Sequence, residues 1–477
     1  MTAPSVVAAD RLAALLSTIL QPNSEAIRQA EAEMKQYLTQ PAFICDLFMQ
    51  LQSSPSAELR QLAAVLVRKR VGSLWLKLEP PVRTALQAAL LQRLGVEPER
   101  VVRRSLTSVV GVVAKSALPK GEWPELAGYL FEATRSAAPE HRELSMQLLA
   151  SLLDSEDVVE VLRPHFGLIA QTLQLLLADQ SSEHVRRATL KAVSAWIAVL
   201  LADEDTLKEI TPLLPALLEA CHAAARGNDE ESLACAFELL QEVVECTPNS
   251  HIAPQLAPLL EMSLHSIVNA NFEEETRIAA LNLLITAVEH KRKLVIKQKL
   301  TPVIVTKLFE ALADAAGALG DDDDDETLEK RSAGAIHQLA MSIPAKHAAQ
   351  PILQTARAFA ADAAVPAKRR AAILGLAMAA EGCCDVFEES LSLLLPLVYA
   401  ACADSVQAVR EAACIALGEF AQNLQPAIIA HYETVLPHIF MVRAPQTQRT
   451  PPEHPFPALF AHTAITTIAH ARAVVSP

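Results

Sequence analysis

The chain has 477 residues, of which 51% are apolar and only 4% aromatic, with 13 glycines and a formal net charge of −14. So little glycine and aromatic material argues against a strand-rich domain of this size, and the acidic balance makes nucleic acid a poor direct partner. The eight cysteines lie mostly in apolar helical runs without metal-type spacing, so free thiols in a reducing compartment are expected, with no metal and no cofactor.

In chain order, an arginine followed closely by a small residue recurs through most of the sequence. The copies are Arg28/Ala30, Arg60 with Ala63, Arg103/Ser105, Arg142 with Ser145 and Arg186/Ala188. Ser232/Ala234 keeps the frame without the arginine, and Arg277/Ala279, Arg331/Ala333, Arg369/Ala371 and Arg410/Ala412 complete the series. Apart from a first step of 32 and one of 54, the intervals run from 38 to 46 residues. This period marks helical-pair repeats, in which each unit buries its apolar face only by stacking on its neighbours. The expected fold is therefore all-α, a right-handed superhelical solenoid of about ten HEAT repeats. In such an array function lies on a long surface and not in a pocket.

The last full unit shows the expected logic. A first helix is predicted from about 388 to 403, then a turn at Asp404 and Ser405, then a second helix with Val409, Ala412, Ala413, Ala416, Leu417 and Phe420 on one face. Asp179, Asp362 and Asp404 precede anchor arginines and are expected to bridge successive turns. Trp75 and Trp123 are expected to pack at the ends of units. The longest apolar stretch, around 192–202, is shorter than the roughly 20 residues a membrane span needs, and no secretory leader is expected.

The 54-residue interval holds Gly320 followed by Asp321, Asp322, Asp323, Asp324, Asp325 and Glu326. Six adjacent carboxylates repel one another and resist burial, so a solvated loop is expected between the two helices of the unit that Arg331 marks, the eighth when anchors are counted. Shorter acidic runs at 203–205, 229–231 and 273–275 read either as helix starts or as an acidic wall that steers basic partners. Two basic clusters, Arg68-Lys69-Arg70 and Lys291-Arg292-Lys293, read either as localisation signals or, more commonly for such clusters, as helix C-termini, where cations complement the dipole. No phosphate loop, nucleophile elbow, Cys-x-x-Cys or His-Glu-x-x-His motif occurs, so no enzyme is expected.

Asp404-Ser405-Val406-Gln407-Ala408-Val409-Arg410-Glu411-Ala412-Ala413 resembles the HEAT signature. The first 130 residues resemble the N-terminal region of the importin-beta family of nuclear transport receptors, through Ala30-Glu31, Leu59-Arg60-Gln61-Leu62-Ala63-Ala64-Val65-Leu66 with Arg68-Lys69-Arg70 and Trp75, and Glu122-Trp123-Pro124-Glu125-Leu126. Residues 369–426 are most similar to the importin four subgroup. The resemblance implies a Ran-binding N-terminal region at 1–130, with Arg60, Arg68 and Lys69 as candidate contacts. It implies a continuing solenoid at 131–440 whose acidic loop, at 320–327, contacts Ran or basic cargo. It also implies Ran-GTP, Phe-Gly nucleoporins and basic cargo such as histones or ribosomal proteins as partners, with cargo released on Ran-GTP binding. The chain is then expected to shuttle between cytoplasm and nucleus, passing the nuclear envelope transiently and binding neither membrane nor nucleic acid. Residues 441–477, rich in proline, are expected as a disordered or non-homologous tail on a truncated receptor whose last helix pair is left bare. The alternative is a static HEAT scaffold without a nucleotide switch.

Overall fold

The structure, a computed structural model, describes residues 7–202, 206, 209–315 and 327–443. The acidic runs at 203–205 and 321–326 and the segment from 444 onward lie outside the described residues. Two compact units divide the chain, Met1–Ala220 and Cys221–Pro477. Among the described residues the regular structure is entirely helical.

The first unit holds five antiparallel pairs. They are α1 (Ala9–Ile19) with α2 (Ser24–Lys35), α3 (Ala42–Ser53) with α4 (Ala57–Leu74), α5 (Pro80–Val96) with α6 (Arg100–Ala117), and α7 (Glu125–Ala133) with α8 (Pro139–Leu153). In the fifth pair the first element is split into α9 (Glu156–Leu162) and α10 (Phe166–Leu177), followed by α11 (Glu183–Leu201). Pro164 lies in the short 3-10 turn that separates α9 from α10, consistent with the helix-breaking effect of proline. Helix α12 (Leu214–Gly227) spans the division between the units.

The second unit continues with α13 (Glu230–Cys246), α14 (Asn249–Ile267) and α15 (Glu274–His290). The eighth pair is α16 (Arg292–Lys297) and α17 (Thr301–Asp314) with α18 (Leu328–Ser342), and the ninth is α19 (Ala345–Ala360) with α20 (Pro366–Ala379). The tenth is α21 (Cys384–Glu389) and α22 (Leu391–Cys402) with α23 (Gln407–Asn423), and α24 (Tyr432–Arg443) follows. The single helix predicted from 388 to 403 is thus two, broken at Ser390, whose φ of −102° and ψ of 7° leave the helical path. The second helix of that pair follows the prediction, with all six of its expected core residues buried.

Five of the second helices begin at side-chain caps: Asn23 before α2, Ser56 before α4, Ser182 before α11, Asp229 before α13 and Thr327 before α18. Each cap satisfies backbone N–H groups that the first turn leaves without partners. Within each unit the second helices also form a continuous layer. In the first unit α4 packs on α6, α6 on α8 and α8 on α11; in the second, α13 packs on α15, α15 on α18, α18 on α20 and α20 on α23. Close approach in this layer depends on small residues three positions after the anchor arginine: Ala63, Ser145, Ala280, Ala372 and Ala413 are all buried.

The anchor arginines join neighbouring pairs. Arg60 donates from Nε and Nη2 to Glu97 at 3.0 and 2.8 Å, and from Nη1 to the carbonyls of Ser54 and Pro55 in its own turn. Arg142 repeats this with Asp179 at 2.8 Å and the Ser136 and Ala137 carbonyls, and Arg369 with Asp404 at 2.7 Å and the Asp362 and Ala363 carbonyls. Arg277 reaches Asp314 at 2.7 Å. Each guanidinium therefore closes one turn and clasps the acid of the next, as the aspartate spacing suggested for Asp179 and Asp404. Asp362 differs, because it pairs with Lys368 in its own turn. Arg28 is exposed and, among the described residues, bonds the Ser24 carbonyl of its own turn.

The tenth pair is not bare. Leu424, Ile428 and Val435 are buried where α24 and the 3-10 turn before it pack on α23, and Tyr399 of α22 stacks on His438 of α24 with ring centroids 4.0 Å apart. Helix α24 runs to Arg443.

Candidate functional site

Seven helix pairs precede the pair formed by α17 and α18, so the acidic run, although outside the described residues, falls in sequence between the two helices of the eighth pair. The anchor count and the helix count agree on that position.

Of the three N-terminal candidates, Arg60 is buried and its guanidinium is engaged by Glu97 and two turn carbonyls, which makes it a stacking residue and removes it from any contact surface. Arg68 and Lys69 are exposed on α4, with Arg70 beside them. Because α4 continues to Leu74, this cluster lies one turn inside the helix and not at its C-terminus. The other basic cluster does sit at a helix end. Lys291 caps α15, is buried, and points Nζ at the Glu245 carbonyl 3.4 Å away at the end of α13; burial lowers its pKa from the ordinary lysine value.

Most of the short acidic runs also resolve into helix starts. Asp229 caps α13, Glu230 accepts from the Glu273 N–H at 2.8 Å, and Glu274 accepts from the Leu328 N–H at the start of α18. Glu329 is buried in an ion pair with Arg370 of α20. Glu238, Glu242 and Glu245 are exposed on one face of α13. Burial and then the nearby Glu245 and Glu242 raise the pKa of the Cys246 thiol there. Cys221, Cys383 and Cys402 are pushed up to about 12 by burial, which keeps them as unreactive thiols.

The second-helix layer of the second unit contains a cleft of about 440 Å³. Gln241 of α13, Asn282, Ile285, Thr286 and Glu289 of α15, and Lys330, Arg331, Gly334 and Gln338 of α18 line it. Gln241 Nε2 donates to the Ala279 carbonyl at 3.4 Å, Arg331 donates to Asn282 Oδ1, and Gln338 Nε2 donates to Glu289. Each amide thus commits one of its two polar ends to the stack. Such a cleft offers polar groups across three successive helices. The sequence reading missed it, because scattered amides on a helix resemble an ordinary solvated face. A signal was present: Gln241 and Thr286 stand nine residues after their anchors, as Lys69 does after Arg60.

No helix among the described residues is long and apolar enough to cross a membrane.

A family model described as IPO5-like TPR repeats matches residues 98–262, and one for HEAT-like repeats matches 366–420. Importin-4 of Mus musculus is 29% identical over 443 residues, which cover 89% of this chain and 40% of that protein. Importin-4 of Homo sapiens is 28% identical with the same coverage, and a probable importin subunit beta-4 of Schizosaccharomyces pombe is 25% identical over 91% of this chain and 40% of its own length. The chain therefore spans about 40% of these relatives. Among solved structures, Kap121p bound to Ste12p aligns with a TM-score of 0.80, and Kap121p bound to RanGTP with 0.76. Both are 21% identical and cover 97% of this chain; the chain covers 45% and 44% of theirs. At that identity the likeness establishes the helical-repeat fold.

Proposed function

We propose, on the premise that the chain belongs to the importin-beta family of nuclear transport receptors, that it binds Ran-GTP, Phe-Gly nucleoporins and basic protein cargo, and gives up cargo when Ran-GTP binds. The family consists of transport receptors and not enzymes. The observation that carries the reading is the position of the aspartate run between α17 and α18 of the eighth pair, where family members hold an acidic loop for Ran and cargo. Asp321, Asp322, Asp323, Asp324, Asp325 and Glu326 then meet basic groups of the partner. Exposed Arg68 and Lys69 on α4 supply a second contact, to acidic groups of the GTPase.

Kap121p has been solved with RanGTP, with the nucleoporin Nup53p and with Pho4p, which makes these partner classes reasonable for a chain of the same fold. In this mechanism the two ligands communicate because each prefers a different arrangement of the same stacked helices, and the coupling is reciprocal by linkage. Shuttling between cytoplasm and nucleus follows from those contacts. The test is a pull-down of the intact chain with GTP-locked and with GDP-bound Ran. Retention of the GTP form alone supports the reading, and equal retention or none of either removes it.

A further inference from the structure

The acid that an anchor arginine clasps occupies a defined place in the next turn. Glu97, Asp179 and Asp404 stand six or seven residues before the following anchor, and each accepts the backbone N–H two residues on, at 2.8 to 3.1 Å. The following anchor in turn donates Nη1 to that residue's own carbonyl, as Arg103 does to Glu97, Arg186 to Asp179 and Arg410 to Asp404. In the turn between α7 and α8 the residue with all three properties is Ser136. It stands six before Arg142, its Oγ accepts from the Ala138 N–H at 3.2 Å, and its carbonyl accepts from Arg142 Nη1 at 2.7 Å. The anchor one pair earlier, Arg103, is half-buried and donates Nη1 to the Glu97 and Pro98 carbonyls at 2.7 Å, while its Nε and Nη2 have no hydrogen-bond partner among the described residues. Arg103 also shares the N-terminal end of α6 with Arg100 and Arg104, both of which pair with Glu143, and cations at a helix N-terminus oppose the dipole. The repeat thus sets a guanidinium fork toward a hydroxyl where other turns hold a carboxylate.

We propose that Ser136 is a phosphorylation site and that its phosphate closes this clasp on Arg103. The proposal is independent of the receptor reading. From the equivalent place Asp179 and Asp404 reach their arginines at 2.8 and 2.7 Å, and Glu97 does so at 3.0 Å; a phosphoserine has the reach of the glutamate. It carries nearly two negative charges on three acceptor oxygens, and a guanidinium binds two such oxygens in parallel. Modification gives up the neutral contact between Ser136 Oγ and His141 Nδ1, 3.1 Å long, for charge-assisted bonds roughly twice as strong. Ser136 is itself partly exposed, in the irregular segment between α7 and α8 and flanked by exposed Arg135 and Ala137, which leaves it open to a protein kinase. In the transfer a nucleoside triphosphate supplies the γ-phosphoryl group: the bond from Oγ to phosphorus forms, the bond from the γ-phosphorus to the β,γ-bridging oxygen breaks, the diphosphate leaves, and the hydroxyl proton passes to a base of the kinase. The modified chain then gains, between its third and fourth helix pairs, the ion pair that already joins the second to the third and the fourth to the fifth.

Two measurements test this. The full chain recovered from its own cells with phosphatases inhibited is expected to yield, by mass spectrometry, a peptide phosphorylated at Ser136 that the Ser136→Ala chain lacks. Amide hydrogen exchange of the full chain then reads the clasp. Ser136→Asp puts a carboxylate where Asp179 and Asp404 hold theirs, and protection at the start of α6 and in α8 is expected to rise roughly three- to tenfold, between the effect of an exposed pair and that of a charged hydrogen bond. Ser136→Asn keeps an acceptor for the Ala138 N–H without the charge and gives no such rise, and adding Arg103→Gln to Ser136→Asp removes it. A chain with phosphoserine encoded at position 136 is protected at least as well as the Ser136→Asp chain, and Arg103→Gln removes that protection too, which keeps the test decisive if the shorter aspartate strains the turn. A Ser136 that carries no phosphate in the recovered chain, a phosphoserine chain no better protected than the native one, or a gain that survives Arg103→Gln overturns the proposal.

Discussion

Replacing Arg60 with Met removes a guanidinium that is almost wholly enclosed, with 7% of its side chain exposed, from a carboxylate with none exposed. Four hydrogen bonds are lost at once: two to Glu97 and two to the Ser54 and Pro55 carbonyls. Breaking one side of a buried ion pair costs about 3–5 kcal/mol. Glu97 keeps a contact with Arg93 and accepts from the Glu99 N–H, which places the expected loss near the lower end, about 3 kcal/mol. In a stacked array such a loss stays local, and one global unfolding energy is a poor readout for a long array. The suitable assay is amide hydrogen exchange. Protection in α4 and α6 is expected to fall roughly a hundredfold, since each factor of ten in exchange corresponds to about 1.4 kcal/mol, with little change in α18 to α23.

The effect has a definite pH dependence. Burial pushes the Glu97 carboxyl up, but the bonds from Arg60, Arg93 and the Glu99 N–H outweigh it, so it titrates below the ordinary glutamate range. A depressed folded pKa contributes stability above the unfolded value of about 4.3 and loses it as pH falls through the folded value. The gap between native and Arg60→Met chains should therefore close in acid. Protection lost evenly along the chain, or a loss below about 1 kcal/mol, would refute the local clasp, since that is the scale of an exposed pair.

Gly382→Ala places a Cβ 2.7 Å from the Met341 N, against backbone of α18 that cannot step aside, and a loss of about 1–3 kcal/mol in the second unit is expected by thermal or urea unfolding. Glu419 is expected to behave opposite to Glu97: burial holds its pKa above the usual range, so the folded chain binds that proton more tightly and gains stability as pH falls through the folded value. Glu419→Gln should raise stability at neutral pH and flatten the acid side of the profile, and a lower neutral melting temperature would contradict this. Joint replacement of Arg68 and Lys69 by Ser should weaken Ran-GTP binding in a titration while leaving the melting curve unchanged, because both side chains are exposed.

The repeat architecture was legible because burial imposes a strict frame: nine anchor arginines and Ser232 count ten pairs, and among the described residues the helices form ten. The placement of the acidic run followed from that frame. Breaks within the first helices were harder to read. Pro164 marks one, but Ser390 interrupts a run whose apolar spacing continues through Phe387 and Leu391, and Lys299, with φ of 56°, turns the chain between α16 and α17 without a glycine. The covering helix α24 was obscured by Pro437 within it, which lowers helical propensity without abolishing a helix held by packing. Arg60 illustrates the limit for sites: sequence marks it both as anchor and as candidate contact, and only the Glu97 carboxylate, 37 residues away, decides between them. The amides of the cleft are separated by 41 and 56 residues and converge only through stacking.

The most direct measurement is the affinity of GTP-locked and GDP-bound Ran for the native chain and for a chain with Asp321–Asp325 replaced by Ser. The account predicts tight binding of the GTP form to the native chain, much weaker binding of the GDP form, and a marked loss of the former in the Ser variant with the helical fold retained. Equal affinity for both nucleotide states, or a Ser variant that binds GTP-locked Ran as well as the native chain does, would contradict it.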